Sequence, residues 1–448
     1  MSARSNTYRW AVISLLLVIT CSRAFAGKTL YVDDDGPADF NNIQAGIDAS
    51  ADGDTVLVAP GTYTGDGNWD IDFKGKAITV KSEDGPESCI IDCDTLYSST
   101  GRPWPDSHRG FNFHSNEDTN SVVCGFTVTG GGNRIHKDEG GAFYCEGSSP
   151  TIRDCIIVHN AAGSGGGIWA RNSHMYVSNC IITENFADHG DGGGICIISG
   201  EVCLVNCIIS GNVTVYYGYG VYCEGGNHQF TNCTVTGNRL RGERGGGGIR
   251  FSVGREDAVC NLTNCIVWGN RAGSLGDEIR VPQAVMRHTA FTRLRIEYCL
   301  IGEDASDVPD WLGMISGNWL MTDPSFARNG YWDPNGTSED FWDDFWVEGD
   351  YHLKSQAGRW DPNSQNWIQD DVTSPCIDAG DPNSLIGHEP FPNGGVINMG
   401  AYGDTSEASK SYFGEPVCET IIAGDINGDC KVDFKDFSIM AAHWLEKR

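Results

Sequence analysis

The chain has 448 residues, with 60 acidic and 31 basic side chains and a formal net charge of -29. Such an excess of negative charge repels phosphate backbones and anionic membranes, so we expect no nucleic-acid partner. Beyond the amino-terminal segment no apolar run is long enough to cross a bilayer, which predicts no transmembrane span. The 18 cysteines suggest an exported protein.

Residues 1–26 have the pattern of a secretory signal peptide. Two arginines precede an apolar run over 10–21, and the small-residue site Ala24-Phe25-Ala26 follows it. This order predicts cleavage near Ala26 and therefore a secreted or cell-surface protein. Acylation of Cys21, which would produce a lipoprotein, is the less favoured alternative.

A short amphipathic helix is predicted next, over about Asn41 to Ala49, where Ile43 and Ile47 share one face. The helix lies between two β-rich runs in the segment NNIQAGIDASADGDTVLVAPGTY. We expect it to cap the open end of a stacked β structure and to cover its edge strands.

Five later segments repeat a cysteine followed by an alternating apolar run, an asparagine and glycines. Their cysteines align with spacings of 25, 27, 26 and 32 residues: Cys155, Cys180, Cys207, Cys233 and Cys265. A period between about 20 and 50 residues indicates a solenoid. The short β-rich runs exclude helical repeats. The sequence therefore predicts an all-β fold, a right-handed parallel β-helix with three strands in each coil of about 25 residues.

Strand alternation assigns inward and outward faces to these coils. Each repeat cysteine and the residue two positions later should point inward, and Cys124 with Phe126 and Cys299 with Ile301 should continue these columns at the ends. Stacked inward thiols should remain mostly free, because parallel side chains would strain a disulfide. The pairs Cys89 with Cys93 and Cys418 with Cys430 are the expected local disulfides.

Five residues after each repeat cysteine stands an asparagine that can hydrogen-bond to the turn of the next coil. These residues are Asn160, Asn185, Asn212, Asn238 and Asn270. Asparagine also tolerates left-handed backbone, which a tight turn requires. We interpret the asparagine ladder as structural.

The glycine runs open a further strand whose outward residues form two columns. The first column is Tyr144, Trp169, Cys196, Tyr222 and Arg250, and the second is Glu146, Arg171, Ile198, Glu224 and Ser252. Aromatic rings suit the apolar faces of sugars, so Tyr144, Trp169, Tyr222 and Arg250 are candidate substrate-binding residues. The alternative is that neighbouring turns hide the column or that it decorates a stiff rod.

Catalytic residues are not marked by any specific motif. A lyase needs a base and a positive group, for which the candidates are Arg171, Arg250, Glu184, Asp188 and Asp191. Two carboxylates of the second outward column stand three coils apart, roughly 14 Å, which is too far for a hydrolase pair. The arginine of that column should form an ordinary surface ion pair with the glutamate of the adjacent coil.

The cap segment and the repeats, over about 28–302, resemble the pectate-lyase-like superfamily of secreted β-helix proteins. The resemblance implies the fold and a polysaccharide partner. It does not imply one reaction, because that superfamily includes lyases, hydrolases, esterases and non-catalytic surface proteins. The paired-Asp signature of polygalacturonases and the arginine signature of pectate lyases are missing. We assign 27–325 to the β-helix with its cap.

Residues 326–416 are rich in Trp and Asp. The pieces GDYHLKS and SPCIDAGDP look like closing coils of secreted β-helix proteins, with loops inserted at about 327–348 and 357–373. Five tryptophans of this region should pack the loops onto the coil or, less favoured, stack on sugars. They are Trp332, Trp342, Trp346, Trp360 and Trp367.

Residues 417–448 contain the spacing of a calcium loop followed by an amphipathic helix. Its expected ligands are Asp425, Asn427, Asp429, Lys431 through its carbonyl, Asp433 and Asp436. The segment resembles one type I dockerin repeat, which implies Ca²⁺ as cofactor and a cohesin-like or cell-surface partner. The segment departs from the pattern at two positions: Cys430 stands where glycine is usual, and Asp436 replaces the bidentate glutamate of an EF-hand, although aspartate is usual there in dockerins. Cohesin-binding dockerins carry two repeats, and only one is found here. An acidic turn without metal is the alternative.

Two functions follow. The first is a secreted β-helix protein that binds and possibly degrades extracellular polysaccharide, as a lyase or glycoside hydrolase, attached through its dockerin-like module. The second is a non-catalytic adhesive or surface rod whose tail serves only for attachment. An acid or base cluster in a groove would favour the first, and flat flanks without titratable pairs would favour the second.

Overall fold

Short parallel strands wound into a coil make up most of the described chain. The computed structural model describes residues 27–93, 108–132, 139–241, 247–252, 258–271, 278–280, 292–302, 319–337, 343–414, 424, 426 and 431–444. The predicted right-handed parallel β-helix is confirmed. The predicted signal peptide lies outside the described residues.

The coiled part contains β1 (Thr29–Val32), α1 (Ile43–Ala49), β2 (Thr55–Val58), β3 (Gly61–Tyr63), β4 (Ile71–Asp72), β5 (Thr79–Ser82), β6 (Cys89–Asp92), β7 (Phe111–Phe113), β8 (Val122–Cys124), β9 (Thr127–Thr129), β10 (Phe143–Glu146), β11 (Thr151–Arg153), β12 (Ile156–Val158), β13 (Ala161–Ala162), β14 (Ile168–Ser173), β15 (Tyr176–Ser178), β16 (Ile181–Thr183), β17 (Phe186–Ala187), β18 (Ile195–Val205), β19 (Ile208–Ser210), β20 (Val213–Thr214), β21 (Val221–Glu224), β22 (Gly226–Thr231), β23 (Thr234–Thr236), β24 (Arg239–Leu240), β25 (Ile249–Ser252), β26 (Ala258–Thr263), β27 (Ile266–Trp268), β28 (Ile279–Arg280), β29 (Thr292–Glu297), β30 (Cys299–Ile301) and β31 (Trp319–Leu320). The remainder contains β32 (Phe326–Arg328), β33 (Tyr331–Asp333), β34 (Phe345–Val347), β35 (Asp350–Leu353), β36 (Arg359–Asp361), β37 (Asn366–Ile368) and α2 (Phe434–Trp444).

Strands of successive coils pair in parallel and form three long faces. The front sheet contains β4, β7, β10, β14, the first half of β18, β21, β25 and β28. The side sheet contains β1, β2, β5, β8, β11, β15, the second half of β18, β22, β26 and β29. The back sheet contains β3, β6, β9, β12, β16, β19, β23, β27, β30 and β31. Because β18 runs through two faces, the front and side sheets are continuous.

Helix α1 closes the amino-terminal end of the coil, as predicted. Ile43 and Ile47 are fully buried in the coil's core, and Asn42 caps the helix by accepting the N–H of Ala45 at 2.8 Å. The helix begins two residues after its predicted start, because Asn42 serves as the N-cap in extended conformation.

Six buried thiols occupy one inward column of the back sheet. They are Cys155, Cys180, Cys207, Cys233, Cys265 and Cys299; the first five lie directly before a back-sheet strand and Cys299 is the first residue of β30. The placement of Cys124 in this column is wrong. Cys124 pairs with Arg153 at the end of the side sheet, before the turn at Gly125, so Phe126 takes the position expected for a thiol.

The thiols of this column are free, as predicted. Each donates to the carbonyl oxygen two residues earlier; for example, Cys180 Sγ lies 3.2 Å from the Ser178 oxygen. The predicted disulfide between Cys89 and Cys93 is wrong, because Cys89 is a free thiol. These residues are four positions apart on the extended strand β6 and its end, about 13 Å, which a disulfide cannot bridge. Cys418 and Cys430 lie outside the described residues.

The asparagine ladder connects five successive turns inside the coil. The first four asparagine side chains each donate to the next one along the axis; Asn212 Nδ2, for example, lies 2.9 Å from Asn238 Oδ1 and 2.8 Å from the Ile182 oxygen. The last, Asn270, donates instead to the carboxylate of Glu278 at 2.7 Å. All five residues are buried. The structural role of the ladder is confirmed. The left-handed backbone, however, lies one residue before each asparagine, at positions such as Glu184 and Gly211.

The described residues of 326–416 do not form the predicted closing coils. Their strands pair antiparallel with one another, as β32 with β35, β33 with β34 and β36 with β37. Phe326, Tyr351 and Leu353 bury their side chains against the outward face of the back sheet, where Ile266 and Leu300 lie. The back sheet carries apolar residues on both faces. Its outward face therefore provides an apolar surface on the side of the coil, against which this segment packs.

Candidate functional site

The first outward column of the front sheet is in the predicted register but is covered. Tyr144, Trp169, Cys196, Tyr222 and Arg250 are adjacent in successive coils. The side chains of Trp169 and Tyr222 are only 2% and 7% exposed, and both belong to a small apolar cluster with the thiol in the column and Tyr217. The prediction of a sugar-binding platform is therefore wrong for these two rings.

Glycine turns and flanking arginines provide the cover. The turn at Gly165 lies against Trp169 and the turn at Gly218 lies against Tyr222. Tyr144 stacks on Trp169 with ring centroids 5.0 Å apart. The guanidinium of Arg171 lies 5.3 Å from the Trp169 ring. Glycine runs that open the strands thus fold the turns back over the column.

The second outward column forms the ordinary ion pair that the sequence predicted. Arg171 Nε lies 2.9 Å from Glu146 Oε1, and its Nη2 lies 2.8 Å from Glu146 Oε2. Both side chains are partly exposed. The carboxylate of Glu146 is therefore already engaged, and an exposed pair of this kind contributes little to stability.

The remaining catalytic candidates do not converge on one centre. Glu184 pairs with His159 at 3.2 Å on the back-sheet side, and Asp188 pairs with its neighbour His189 at 2.7 Å. Their carboxylates therefore serve separate local contacts.

Asp191 and Arg250 are the two catalytic candidates that the fold brings near each other, beside Tyr217. The Arg250 guanidinium lies 3.8 Å from the Tyr217 ring centre. Burial raises the pKa of Asp191 to about 6, while the positive charge of Arg250 and the N–H of Tyr217 limit the rise. A carboxyl with a pKa near neutrality can exchange a proton with a reacting group.

The hairpin β33–β34 is fastened across the back-sheet turns by a tryptophan. Trp346 is 5% exposed and lies on Gly211, Gly237 and Gly330, where a side chain would collide with its indole. The first two glycines also have positive φ angles of 57° and 64°. The absence of side chains at these turns creates the space that the tryptophan fills.

Polar contacts fix the same hairpin. Trp332 Nε1 donates to the Gly237 oxygen at 2.8 Å. The guanidinium of Arg239 lies 3.8 Å from the centre of the Trp332 ring, and its Nη1 lies 2.5 Å from Asp344 Oδ2. Both side chains of this ion pair are buried. The positive charge that β24 buries is therefore neutralised by a carboxylate of the hairpin.

Glu348, directly after the hairpin, anchors it to two coils. Its Oε2 accepts the hydroxyls of Thr183 at 2.7 Å and Ser210 at 2.8 Å. Its Oε1 accepts the hydroxyl of Tyr351 at 2.5 Å. The hairpin is therefore held at both ends by buried or half-buried hydrogen bonds.

A cavity of about 360 Å³ lies between this hairpin and the coil. We call it the hairpin pocket; its lining residues are Thr236, Gly237, Trp268, Gly269, Arg271, Asn329, Gly330, Tyr331, Trp332 and Trp346. Its volume falls within the range of small-ligand sites, about 300–1,000 Å³. Tyr331 is 53% exposed and Trp268 is half-buried, so both present aromatic surface to a ligand.

Sequence reasoning singled out only Trp332 and Trp346 among these lining residues and missed the others, including Trp268, Arg271, Asn329 and Tyr331. One signal was present, because Trp268 occupies a back-sheet position that is Thr236 in the preceding coil. An outward tryptophan in a column of small side chains is unusual. The hairpin itself, with residues more than 60 positions later in the chain, gave no such signal.

The described tryptophans of residues 326–416 mainly pack against other parts of the protein, as the favoured interpretation predicted. Trp332 and Trp346 contact each other at 5.4 Å and fasten the hairpin. Trp360 and Trp367 pair edge to face at 5.7 Å, and the Lys410 ammonium lies 4.2 Å from the Trp367 ring. Trp342 lies outside the described residues.

The carboxyl-terminal loop is described only in part. Asp436 is buried; its Oδ1 accepts the N–H of Ile426 at 2.6 Å and its Oδ2 accepts that of Asp433 at 2.7 Å. This carboxylate therefore joins Ile426 and Asp433 to the start of α2. Lys431 and Asp433 are exposed. Asp425, Asn427 and Asp429 lie outside the described residues. Neither described helix is long and apolar enough to cross a membrane.

Comparison with known proteins agrees with the coil. The family model described as "Right handed beta helix region" matches residues 107–277. A second model, "Disaggregatase related", matches residues 338–380. No curated protein sequence matches the chain.

Two solved structures share a broad likeness to the chain. One is a crystal structure of the pectate lyase Pel9A, with 16% identity and a TM-score of 0.39 over 84% of this chain and 96% of that one. The other is a pectin methylesterase variant in complex with a hexasaccharide, with 12% identity and a TM-score of 0.29 over 71% of this chain and 85% of that one.

Proposed function

We propose that the protein binds a polysaccharide in the hairpin pocket. The observation that carries the proposal is the cavity of about 360 Å³ with aromatic walls and few polar groups. Sugar rings present apolar faces that pack on aromatic side chains, and Trp268 and Tyr331 offer such faces. Asn329 and Thr236 line the same cavity and suit hydrogen bonds to hydroxyl groups.

Binding rather than cleavage is the function of this pocket. Among the described lining residues none carries a carboxylate, so the acid and base pair of a glycoside hydrolase is missing from them. The hairpin is held by Trp346, Arg239 and Glu348, which pre-organises the walls and lowers the entropy lost on binding.

Affinity gels containing acidic and neutral polysaccharides test the proposal. We expect retardation by at least one glycan, and its loss on Trp268→Ala and on Tyr331→Ala. Tyr176→Ala is the matched control, because Tyr176 is an exposed tyrosine on the side sheet, away from the pocket. Migration of the wild-type protein unchanged in every gel would favour the alternative function, an adhesive rod without glycan affinity.

A second candidate function, cleavage of a glycan at a site outside the hairpin pocket, rests on Asp191, which precedes the front-sheet half of β18. Its pKa of about 6 and its position near Arg250 suit proton transfer next to a positive charge. Release of unsaturated products would indicate a lyase, and release of new reducing ends would indicate a hydrolase. Asp191→Asn should abolish either release while leaving gel retardation unchanged; product release by this variant at the wild-type rate would contradict the assignment.

Attachment is the role we assign to residues 417–448. In this proposal Ca²⁺ is held by the carboxylates and the Lys431 carbonyl of the predicted loop, and α2 contacts a cohesin-like or cell-surface protein. Support comes from Asp436, whose carboxylate joins the loop to the start of the helix. Export through the predicted signal peptide places the glycan-binding coil outside the cell.

A further inference from the structure

We propose that Arg271 makes the hairpin pocket selective for sugars that carry an anionic group, either a carboxylate or a sulfate ester. This inference rests on the proposed glycan binding and names the class of glycan. It follows from a comparison of two arginines, Arg239 and Arg271, that form a parallel bridge in adjacent coils.

The first of these arginines is committed to the fold. Arg239 is buried, its guanidinium lies over the Trp332 ring, and its charge is neutralised by Asp344 at 2.5 Å. A guanidinium in such an environment is not available to a ligand, because its partner would remain buried without a counter-charge.

The second arginine lies in the cavity. Arg271 is exposed and lines the hairpin pocket, and in the described part of the chain no carboxylate forms an ion pair with it. It is also the one charged residue among the described lining residues. The chain carries a net charge of -29, yet the charged lining residue of this pocket is a cation.

The chemistry of the lining matches an anionic sugar. A guanidinium donates two parallel hydrogen bonds to a carboxylate or a sulfate, a geometry that an ammonium cannot reproduce. The aromatic walls at Trp268 and Tyr331 hold the ring of the same sugar. A neutral sugar would contact the aromatic walls but would not pair with the guanidinium. The arginine therefore adds a charge-dependent part to the affinity.

Calorimetry with paired ligands tests the inference. The probes are oligogalacturonates with their carboxyl-reduced counterparts, and sulfated galactan oligomers with their desulfated counterparts. We expect the wild-type protein to bind at least one charged ligand about tenfold or more tightly than its neutral partner. Arg271→Gln should remove this preference while keeping the affinity for the neutral ligand, and Arg271→Lys should retain part of it. Arg295→Gln, at an exposed side-sheet arginine paired with Glu297, is the matched control.

Three results would overturn the inference. Equal affinity of the wild-type protein for the charged and neutral members of both pairs would remove anionic selectivity but leave glycan binding intact. A preference that survives in Arg271→Gln would place the selectivity elsewhere. Failure of all four ligands to bind, together with no retardation in any gel, would instead remove the proposed function itself.

Discussion

Trp346 lies on Gly237 so closely that a methyl group at this glycine would collide with the indole. The glycine belongs to a turn of the coil and the tryptophan to a hairpin more than one hundred residues later. This contact fixes one wall of the hairpin pocket. The stability of the hairpin and the shape of the pocket therefore depend on the same pair of residues.

Gly237→Ala should lower the free energy of unfolding by about 2–4 kcal/mol. Left-handed backbone at a non-glycine residue costs about 1 kcal/mol, and the collision with Trp346 adds about 1–3 kcal/mol. Urea unfolding measures the loss. Gly269→Ala is the matched control, because Gly269 has a similar φ of 69° while an added methyl group would meet only the Thr236 hydroxyl at 3.8 Å. Equal losses in the two variants would show that Trp346 does not occupy this space.

Asn212→Ala should destabilise the coil by at least about 2 kcal/mol. The substitution leaves the buried N–H groups of Asn185 without their acceptor and the Ile182 carbonyl without one of its donors. Thermal and urea unfolding check this expectation. Asn383→Ala removes an exposed asparagine bonded only to Asp381 two residues away, and should change stability by less than about 0.5 kcal/mol. A loss no larger than that of the control would mean that the asparagine ladder contributes little.

Stability should fall between about pH 4.5 and pH 8 because of Glu389. This side chain is 6% exposed, and burial raises its pKa from 4.5 to about 8, although Asn398 and Asp404 donate N–H groups to Oε1. Between these values the folded state keeps a proton that the unfolded chain releases, so each rise in pH favours unfolding.

Glu389→Gln should flatten this part of the pH profile, because the variant has no proton to lose. Urea unfolding at pH 5, 7 and 9 gives the slopes for both proteins. Glu83→Gln, at an exposed glutamate of the same charge, should keep the wild-type slope. Parallel profiles for the wild-type protein and Glu389→Gln would contradict the burial of an ionisable group at this position.

Asp436→Asn should reduce the number of bound calcium ions by one. The aspartate joins Ile426 to Asp433 in the predicted loop, and its charge is needed to balance the cation. Calorimetric titration of the full chain with CaCl₂ measures the stoichiometry. Asp371→Asn, at an exposed residue of the preceding segment, should keep the wild-type number. An unchanged stoichiometry in Asp436→Asn would assign the segment to an acidic turn without metal.

Periodicity made the coil predictable. The repeat cysteines and asparagines recur because each coil presents the same internal environment, so sequence spacing alone locates their columns. The same reasoning failed at Cys124, where the turn lies at Gly125, two residues later than the cysteine register suggests. Sequence spacing therefore predicts the members of a column well in the middle of the solenoid and less well where the coil length changes.

Exposure was not predictable from the same pattern. Alternation determines which side of a strand a residue occupies, and it placed Trp169 and Tyr222 outside the coil correctly. Whether an outward residue meets water depends on the path of the neighbouring turns, here those at Gly165 and Gly218. The hairpin pocket was missed for a related reason, because it joins Trp268 to Tyr331 across segments that share no repeat.

The structure of the protein with an oligosaccharide, chosen as the fragment of a glycan that retards it in affinity gels, is the most direct measurement of the central claim. We expect a sugar ring in contact with Trp268 and Tyr331 in the hairpin pocket. An oligosaccharide bound instead along the front sheet, with the hairpin pocket empty, would contradict it.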